Sequence, residues 1–216
     1  MAMNIVLLGF PGAGKGTQAE KLVGKYNFRH ISTGDLIRHE IALGTPLGKE
    51  VEATIDSGNL ASDEMIISIL VKAIKDEKRG VIFDGFPRTI AQAEALDDYL
   101  AQHGTQVDAA VLIRLSEAEV LKRITSRRIC KECGAVYNIN AEGYSGKCNK
   151  CGGALYIRHD DDEQSARHRL EVFHKETQPL IEYYERGGKC KAVDGSKSIE
   201  KVFEEIENVL GLSKGE

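Results

Sequence analysis

The sequence lacks long apolar runs and lacks an excess of basic charge. No stretch of its 216 residues approaches the roughly 20 consecutive apolar residues that a membrane-spanning helix needs. The 29 Lys and Arg residues are outnumbered by 33 Asp and Glu, for a net charge of −4. Since nucleic-acid-binding domains are usually strongly basic, this balance argues against general affinity for nucleic acid. The composition therefore predicts neither a membrane partner nor a nucleic-acid partner.

Signals for export are also missing from the first residues. Residues 1–10 have no basic start and no small-residue cleavage site of the signal-peptide type. Four of the five cysteines stand in a spacing typical of metal sites rather than of disulfides. We therefore expect a cytoplasmic protein.

What the sequence does have is a regular alternation of short apolar runs and helical patterns, which predicts an α/β fold with a parallel sheet covered by helices. The predicted strands are 4–8, 29–31, 81–83, 109–113 and 190–193. The predicted helices lie near 15–26, 33–42, 63–77, 89–102, 117–128, 161–185 and 199–210. Because the strands are continuously apolar, we expect burial on both faces of the sheet.

Two segments interrupt this alternation. Residues 32–61 hold two short helices, and Pro46 is placed to open the second. Residues 129–159 are rich in Gly, Cys and Asn and have little helical periodicity. The predicted organisation is a core made of residues 1–31, 62–128 and 160–216, with inserted lobes at 32–61 and 129–159.

A glycine-rich loop follows the first predicted strand. Residues 9–17 read Gly-Phe-Pro-Gly-Ala-Gly-Lys-Gly-Thr, a pattern in which backbone N–H groups and a helix N-terminus cradle phosphates. Lys15 supplies a mobile cation for the outer phosphates. The Ser or Thr that normally follows this lysine and binds magnesium is replaced by Gly16, and Thr17 comes one residue later. The loop predicts a P-loop nucleotide site whose metal is held mainly by phosphates, water and a carboxylate elsewhere.

A carboxylate ends the predicted strand 81–83 and is followed by Gly85-Phe86-Pro87-Arg88. Ligands of open α/β sheets bind beyond the carboxyl ends of the strands, where the glycine-rich loop also lies. Asp84 is thus placed to hold Mg²⁺ through water; alternatively, it is only a turn residue before Gly85. Arg88 follows a rigid turn that suits an arginine held in position, although a solvated surface arginine has the same sequence signature.

The cysteines Cys130, Cys133, Cys148 and Cys151 form the pattern C-x2-C-x14-C-x2-C. Two such pairs supply four thiolates for a tetrahedral Zn²⁺, and a closed four-cysteine site stabilises rather than catalyses. A zinc-ribbon protein that binds nucleic acid is the alternative, but the nearby lysines lack interleaved aromatic residues and are interpreted as solvated. Cys190 is expected to be a buried core thiol, and His159 a surface residue.

Several motifs in order resemble those of adenylate kinases over nearly the whole chain, and the cysteine insertion resembles the zinc-bearing lid of some bacterial members. These motifs are residues 9–17, 32–36, 84–88, 123–128, 158–161 and 193–195. The resemblance implies a P-loop NTPase-type five-stranded parallel sheet and a mostly monomeric enzyme that converts Mg-ATP and AMP into two ADP. The lobe at 32–61 would bind the monophosphate, and the one at 129–159 would close as a lid.

The resemblance also implies roles for individual residues. The implied ATP-binding residues are Gly12, Ala13, Gly14, Lys15, Gly16, Thr17, Arg123, Arg127, Tyr137 and Lys197. The implied AMP-binding residues are Thr33, Arg38, Asn59, Leu60, Ala61, Gly85, Arg88, Gln92, Arg158 and Arg169, with Gln92 reading adenine. The implied catalytic residues are Lys15, Arg88, Arg123, Arg127, Arg158 and Arg169.

Local patterns leave alternatives for some of these residues. Arg123 and Arg127 are four apart in the predicted helix 117–128, which places them on one face. Thr33 could instead cap the next helix, and Arg38 could be solvated. Arg128 and Arg167 are as consistent with exposed arginines as with a site. A kinase for another nucleoside monophosphate is the alternative enzyme, although Thr89 favours the adenylate branch over the UMP/CMP branch.

Overall fold

Five parallel strands form the central sheet of the computed structural model, which describes residues 3–56, 62–74, 77–141 and 143–212. They are β1 (Ile5–Leu8), β2 (Arg29–Ser32), β3 (Val81–Asp84), β4 (Ala109–Arg114) and β8 (Cys190–Asp194). Their order across the sheet is β2-β3-β1-β4-β8, and every neighbouring pair is parallel. The predicted α/β fold is confirmed.

Helices connect these strands, and a second, smaller sheet interrupts them. The helices are α1 (Lys15–Tyr26), α2 (Thr33–Ala42), α3 (Pro46–Asp56), α4 (Asp63–Ile74), α5 (Ile90–Gln102), α6 (Glu117–Thr125), α7 (Glu163–Val172), α8 (Pro179–Arg186) and α9 (Ile199–Leu210). The small antiparallel sheet consists of β5 (Arg127–Cys130), β6 (Val136–Asn138) and β7 (Leu155–Tyr156), in the order β6-β5-β7. None of the described helices has the length and apolar content that a bilayer crossing requires.

Apolar side chains pack on both faces of the central sheet because successive residues of a strand point to opposite sides. On β1, Val6 and Leu8 join the layer that includes α4, α5 and α8. Ile5 and Leu7 of the same strand join the layer that includes α1 and α9. The prediction of burial on both faces is correct for the three inner strands.

The two edge strands depart from that prediction. Only Ile31 of β2 and only Val193 of β8 are buried. Cys190 at the start of β8 packs against the core, as expected, but it is half-buried rather than buried. An edge strand has a neighbour on one side only, which leaves more of its side chains in contact with water.

The predicted helix 117–128 is also wrong at its end. It stops at Thr125, and Arg127 begins β5, pairing with Asn138 of β6. The carbonyl of Ser126 accepts a hydrogen bond from Ile139 N (3.0 Å), so it serves the small sheet rather than a further helical turn. Arg123 and Arg127 therefore do not share a helix face.

The predicted helix 161–185 is divided into α7 and α8 by a π-helical turn at Phe173–Thr177. Gln178 N donates to Phe173 O over five residues (2.8 Å). Pro179, which has no N–H, follows at once and opens α8. The π-helical turn therefore leads directly from α7 into α8 in spite of the proline.

Helices α2 and α3 pack with their backbones in close approach. Gly48 of α3 is buried, and a Cβ at this position would collide with the backbone carbonyl of Glu40. Thr45 accepts from Gly48 N (2.9 Å) and donates to Glu40 Oε2 (2.7 Å). Pro46 opens α3, as the sequence predicts.

Candidate active site

The glycine-rich loop joins β1 to α1 and requires glycine for steric reasons. Gly9 has a φ of +138°, and a Cβ there would lie 2.6 Å from the carbonyl oxygen of Ile113 on β4. Gly12 has a φ of +81°, and its Cβ would lie 2.8 Å from Ile124 Cγ1 on α6. The loop is therefore wedged between β4 and α6, which fixes its backbone beside the helix N-terminus.

Lys15 folds back over this loop. Its Nζ donates to Gly9 O (2.9 Å) and Phe10 O (3.0 Å). Burial lowers the pKa of Lys15 to about 8; Asp84 opposes the shift, and the nearby charges of Arg88, Arg169 and Arg127 add to it. The ammonium lies in a strongly cationic environment that a phosphate chain would neutralise.

Asp84 lies at the carboxyl end of β3, next to the first turn of α1. A Cβ on Gly16 would be 3.5 Å from Asp84 Oδ2, so the carboxylate faces the residue that replaces the usual hydroxyl. His30 Nε2 lies 3.4 Å from the same oxygen. A half-buried carboxylate beside a phosphate loop supplies the oxygen donor that Mg²⁺ prefers, so this residue fits the predicted role.

Arg88 occupies the same end of the sheet. Its Nε donates to Gly85 O (2.9 Å). Part of the Arg88 side chain is open to solvent, but its guanidinium lies among protein atoms. This burial lowers the pKa of Arg88; the negative charge of Asp84 opposes the shift, and the positive charge of Arg38 adds to it. The side chain is thus held close to both Asp84 and Arg38.

A further group of arginines lies at the start of β5 and on α7. Arg127 Nε donates to Asp161 Oδ2 (2.8 Å), and its Nη2 donates to the second oxygen of this carboxylate. Asp161 is only 3% exposed. Arg169 Nη1 contacts Asp160 Oδ2 (3.1 Å) and Asp161 Oδ1 (3.6 Å).

With Arg158, this group carries three positive charges against the two negative charges of Asp160 and Asp161. Burial lowers the pKa of Arg158, and the charges of Arg127 and Arg38 lower it further. Burial also lowers the pKa of Arg169. Guanidinium groups that repel one another at a protein surface cleft are suited to bind polyphosphate.

The remaining predicted donor-side residues have other contacts. Arg123 Nε donates to Glu119 Oε1 (3.0 Å) on α6. Lys197 Nζ pairs with Glu205 Oε1. A cavity of about 560 Å³ is lined by the partner of Arg123, Glu119, and by the residue before Lys197, Ser196, together with Arg114, Leu115, Ser116 and Asp194. Arg123 and Lys197 thus border one open cavity through their neighbours.

On the acceptor side, Thr33 is buried, and its Oγ1 lies 3.4 Å from Asp84 O. The N-cap of α2 is Ser32, which accepts from Asp35 N (3.3 Å), so the alternative that Thr33 caps this helix is wrong. Arg38 pairs with Asp35. The predicted residues Asn59, Leu60 and Ala61 lie outside the described part of the chain.

Gln92 is buried on α5 and is held at both ends of its amide. Arg88 N donates to Gln92 Oε1 (2.7 Å), and Gln92 Nε2 donates to Asp63 Oδ1 (2.5 Å). Asp63 was not predicted, because in the sequence it is an ordinary acidic residue in the first turn of a helix. His30 was not predicted either, because nothing local indicates that β2 places this ring beside Asp84.

The four predicted metal-binding cysteines come together in the small sheet. Their Sγ atoms all lie within 4.8 Å of one another, and the pairs Cys130–Cys151 and Cys133–Cys148 are each 3.5 Å apart. A zinc ion about 2.3 Å from four thiolates in a tetrahedron would place the sulfurs about 3.8 Å apart. The cluster fits a structural zinc site.

Tyr137 supports this cluster. Its hydroxyl lies 3.1 Å from Cys148 Sγ and accepts from Asn149 N (2.9 Å). The hydrogen bond from Tyr137 is the main cause that lowers the pKa of Cys148 to about 6. A thiol that ionises readily is a better metal ligand at neutral pH.

Among the other residues that the sequence left open, Arg167 is exposed and pairs with Glu163 (2.7 Å). Arg128 Nη1 donates to Arg127 O (2.7 Å), so its guanidinium binds the backbone of its own strand. His159 is exposed, as expected. These contacts favour surface and structural roles.

Comparison with known proteins agrees with this geometry. The family model described as "Adenylate kinase" matches residues 7–189. A protein of Geobacillus sp. (strain WCH70) named adenylate kinase is 49% identical over 97% of this chain and 99% of its own length. An adenylate kinase of Clostridium tetani is also 49% identical over 97% of this chain and 99% of its own. One of Archaeoglobus fulgidus is 48% identical over 96% of this chain and 98% of its own.

Proposed function

The chain belongs to the adenylate kinase family, and from this premise we propose how its own residues share the reaction. The enzyme is an ATP:AMP phosphotransferase that reversibly transfers the terminal phosphoryl group of Mg-ATP to AMP and gives two ADP. The observation that carries the assignment of residues is the gathering of Asp84, Arg88, Arg127 and Arg169 around Lys15 at the carboxyl end of the sheet.

The donor nucleotide occupies the glycine-rich loop and the cavity at the end of β4, the strand whose Ile113 carbonyl faces Gly9. Its phosphates bind to Gly12, Ala13, Gly14, Lys15, Gly16 and Thr17. The loop's conformation and the cationic surroundings of Lys15 support this placement. The cavity of about 560 Å³ takes the nucleoside, with Arg123, Lys197 and Tyr137 as further contacts.

The acceptor AMP occupies the opposite side of Asp84. Its proposed contacts are Thr33, Arg38, Asn59, Leu60, Ala61, Gly85, Arg88, Gln92, Arg158 and Arg169. The proximity of Arg88 to Arg38 and of Arg158 to Arg38 supports a common anionic ligand between them. Gln92 reads the adenine base.

The transfer itself needs little covalent chemistry from the protein. Charge spreads over the three equatorial oxygens of the transferring group, and fixed cations stabilise it. Lys15 neutralises the outer phosphates of ATP, Arg88 holds the phosphate of AMP, and Arg123, Arg127, Arg158 and Arg169 converge on the transferring group. No general base is required because a phosphate oxygen of AMP is already anionic.

Mg²⁺, when bound, would supply positive charge that neutralises the charge developing on the phosphates. Asp84 would hold it through water, on the evidence of its position beside Gly16. Zn²⁺ would be held by Cys130, Cys133, Cys148 and Cys151, which leave no open position for catalysis.

The two insertions complete the site. We assign residues 32–61 to a lobe that binds AMP and residues 129–159 to a lid, on a core of residues 1–31, 62–128 and 160–216. Closure of the lid excludes water, which would otherwise compete with AMP for the phosphoryl group. The junction of the lid with the catalytic arginines Arg127 and Arg158 supports this role.

We also propose that the enzyme works as a cytoplasmic monomer. The cysteines are unpaired, and a zinc-thiolate cluster needs the reduced thiols that a reducing compartment maintains. Sedimentation of the zinc-loaded protein at several concentrations tests the monomer, and a concentration-dependent dimer would contradict it.

The test of the assignment is Arg88→Ala. Its kcat/KM for AMP should fall about a thousandfold or more, as for other arginines that stabilise phosphoryl transfer, while the melting temperature stays near that of the parent. Arg167→Ala is the matched control, because Arg167 is an exposed helix arginine paired with Glu163. Near-normal turnover of AMP by Arg88→Ala would refute the assignment.

A further inference from the structure

The orientation of the Gln92 amide is fixed by two partners of opposite kind. Arg88 N can only donate, and it donates to Oε1 at 2.7 Å. The carboxylate of Asp63 can only accept when ionised, and it accepts from Nε2 at 2.5 Å. Gln92 is 6% exposed, so its amide has little access to solvent that could satisfy a flipped orientation.

This orientation decides which purine the amide can recognise. A 6-aminopurine presents a donor at its amino group and an acceptor at N1, whereas a 6-oxopurine presents an acceptor at O6 and a donor at N1. A primary amide that rotates freely matches either base by exchanging its oxygen and nitrogen. After these two hydrogen bonds, the Gln92 amide still has one free lone pair on Oε1 and one free hydrogen on Nε2. Because the amide cannot flip, the positions of this acceptor and this donor relative to a bound base are fixed.

Asp63 is itself held in place. Its Oδ2 accepts from Thr89 Oγ1 (3.3 Å), and the same hydroxyl accepts from Gln92 N (3.2 Å) as the N-cap of α5. The Asp63 carboxylate at the start of α4 therefore binds both Thr89 and Gln92 at the start of α5. It cannot turn away from Gln92 without losing the hydrogen bonds to both residues.

We infer that Asp63 is a specificity-determining positioning residue, which locks the Gln92 amide in the orientation that accepts a 6-aminopurine monophosphate and rejects a 6-oxopurine monophosphate. This inference rests on the proposed function, in which Gln92 reads the base of the acceptor. Asp63 acts through Gln92 and needs no contact with the nucleotide.

The experiment compares kcat/KM for AMP with kcat/KM for inosine monophosphate, its 6-oxo counterpart. Asp63→Asn keeps the shape of the side chain, but its own amide can face Gln92 with either oxygen or nitrogen. Arg88 N is then the only one of the two partners that still opposes a flip of the Gln92 amide. The ratio of AMP to inosine monophosphate should fall about tenfold, which corresponds to one hydrogen bond no longer being enforced. A purely structural role would lower both values together and leave the ratio unchanged.

Two variants serve as controls. Asp98→Asn makes the same change at an exposed position of α5 and should leave the ratio at the parent value. Asp63→Glu keeps an acceptor-only group and should retain most of the discrimination. A ratio in Asp63→Asn equal to that of the parent, or an equal loss in Asp63→Glu, would overturn the inference.

Failure of the inference can be told from failure of the proposed function. Gln92→Leu should abolish most of the discrimination; if it does not, Gln92 does not read the base, and the proposed function is wrong at this residue. If Gln92→Leu loses discrimination while Asp63→Asn keeps it, only the role of Asp63 is wrong. Asp63→Ala, measured in the same way, decides the case if Asp63→Asn does not fold.

Discussion

The two inserted lobes are held together by different forces. In the segment 129–159, few side chains are buried, and those are mainly Ile129 and the cysteines Cys130 and Cys148, while apolar residues such as Val136 (49% exposed) and Ile157 (54% exposed) face water. In the helical segment, α2 and α3 meet backbone to backbone at Gly48, and Val51 is 1% exposed.

Among the described residues, neither insertion has a large apolar core, and the two segments are stabilised in different ways. A segment of about 30 residues cannot bury enough apolar surface to fold alone, so a metal supplies the missing free energy in one case. In the other, the helices also pack against the main core, to which Leu36 and Ile37 contribute. The lid depends on a ligand, and the helical lobe depends on steric fit.

The strongest test of this comparison removes one metal ligand. Cys148→Ser should lose the zinc and unfold the small sheet, because structural zinc contributes about 10–16 kcal/mol of binding free energy in small zinc domains. Hydrogen exchange should accelerate in β5, β6 and β7 while β1 and β3 stay protected. Activity should fall about a hundredfold, since arginines at the base of the lid lose their position.

Cys190→Ser is the matched control for this variant, because Cys190 is half-buried on β8 and is not one of the four clustered cysteines. It should keep a full equivalent of zinc and the exchange pattern of the parent. If the small sheet of zinc-free Cys148→Ser stays protected, apolar contacts are sufficient for the lid and the comparison is wrong.

A smaller effect is expected in the helical lobe. Gly48→Ala should destabilise the protein by about 1–3 kcal/mol, the usual cost of overpacking, because the added methyl group meets the backbone of α2 rather than a movable side chain. Urea unfolding measures the change, and the zinc content should not alter.

Gly24→Ala makes the same substitution on α1, where a Cβ would meet nothing within 4 Å. It should raise the free energy of unfolding by about 0.5–1 kcal/mol, since alanine is the better helix former. Equal effects of the two substitutions would mean that α2 and α3 are not tightly packed at Gly48.

An effect of similar size concerns the support of the metal cluster. Tyr137→Phe removes the hydroxyl that contacts Cys148 Sγ, and loss of such outer partners typically weakens metal binding about 10–100-fold. Competition with a chromogenic chelator measures the affinity, and Tyr156→Phe on the exposed face of β7 is the control. An unchanged zinc affinity with a raised KM for ATP would assign Tyr137 to the nucleotide alone.

Local patterns predicted the ends of the inner strands to within one residue, because short continuous apolar runs at β1, β3 and β4 are typical of strands buried on both faces. They also predicted the phosphate loop and the cysteine cluster, whose members are close in sequence. The helix 117–128 was wrong because strand pairing of Arg127 with Asn138 outweighs helical periodicity. Periodicity does not register a partner eleven residues away.

The contacts that orient the site were the hardest to predict. Asp63 reaches Gln92 across 29 residues, and Arg127 reaches Asp161 across 34. Each pair joins different elements, so the spacing of residues along one helix or strand carries no signal of it. Only the assembled sheet brings these groups within hydrogen-bonding distance.

The bond between Arg127 and Asp161 has a consequence for how this enzyme can vary. Arg127 is the first residue of β5, and Asp161 stands between β7 and α7, so the chain leaves the core and returns to it at one point. The segment between Arg127 and Asp161 is thus an insertion whose two ends are adjacent. Its length, its content and its means of folding can change while the core keeps the same two attachment points.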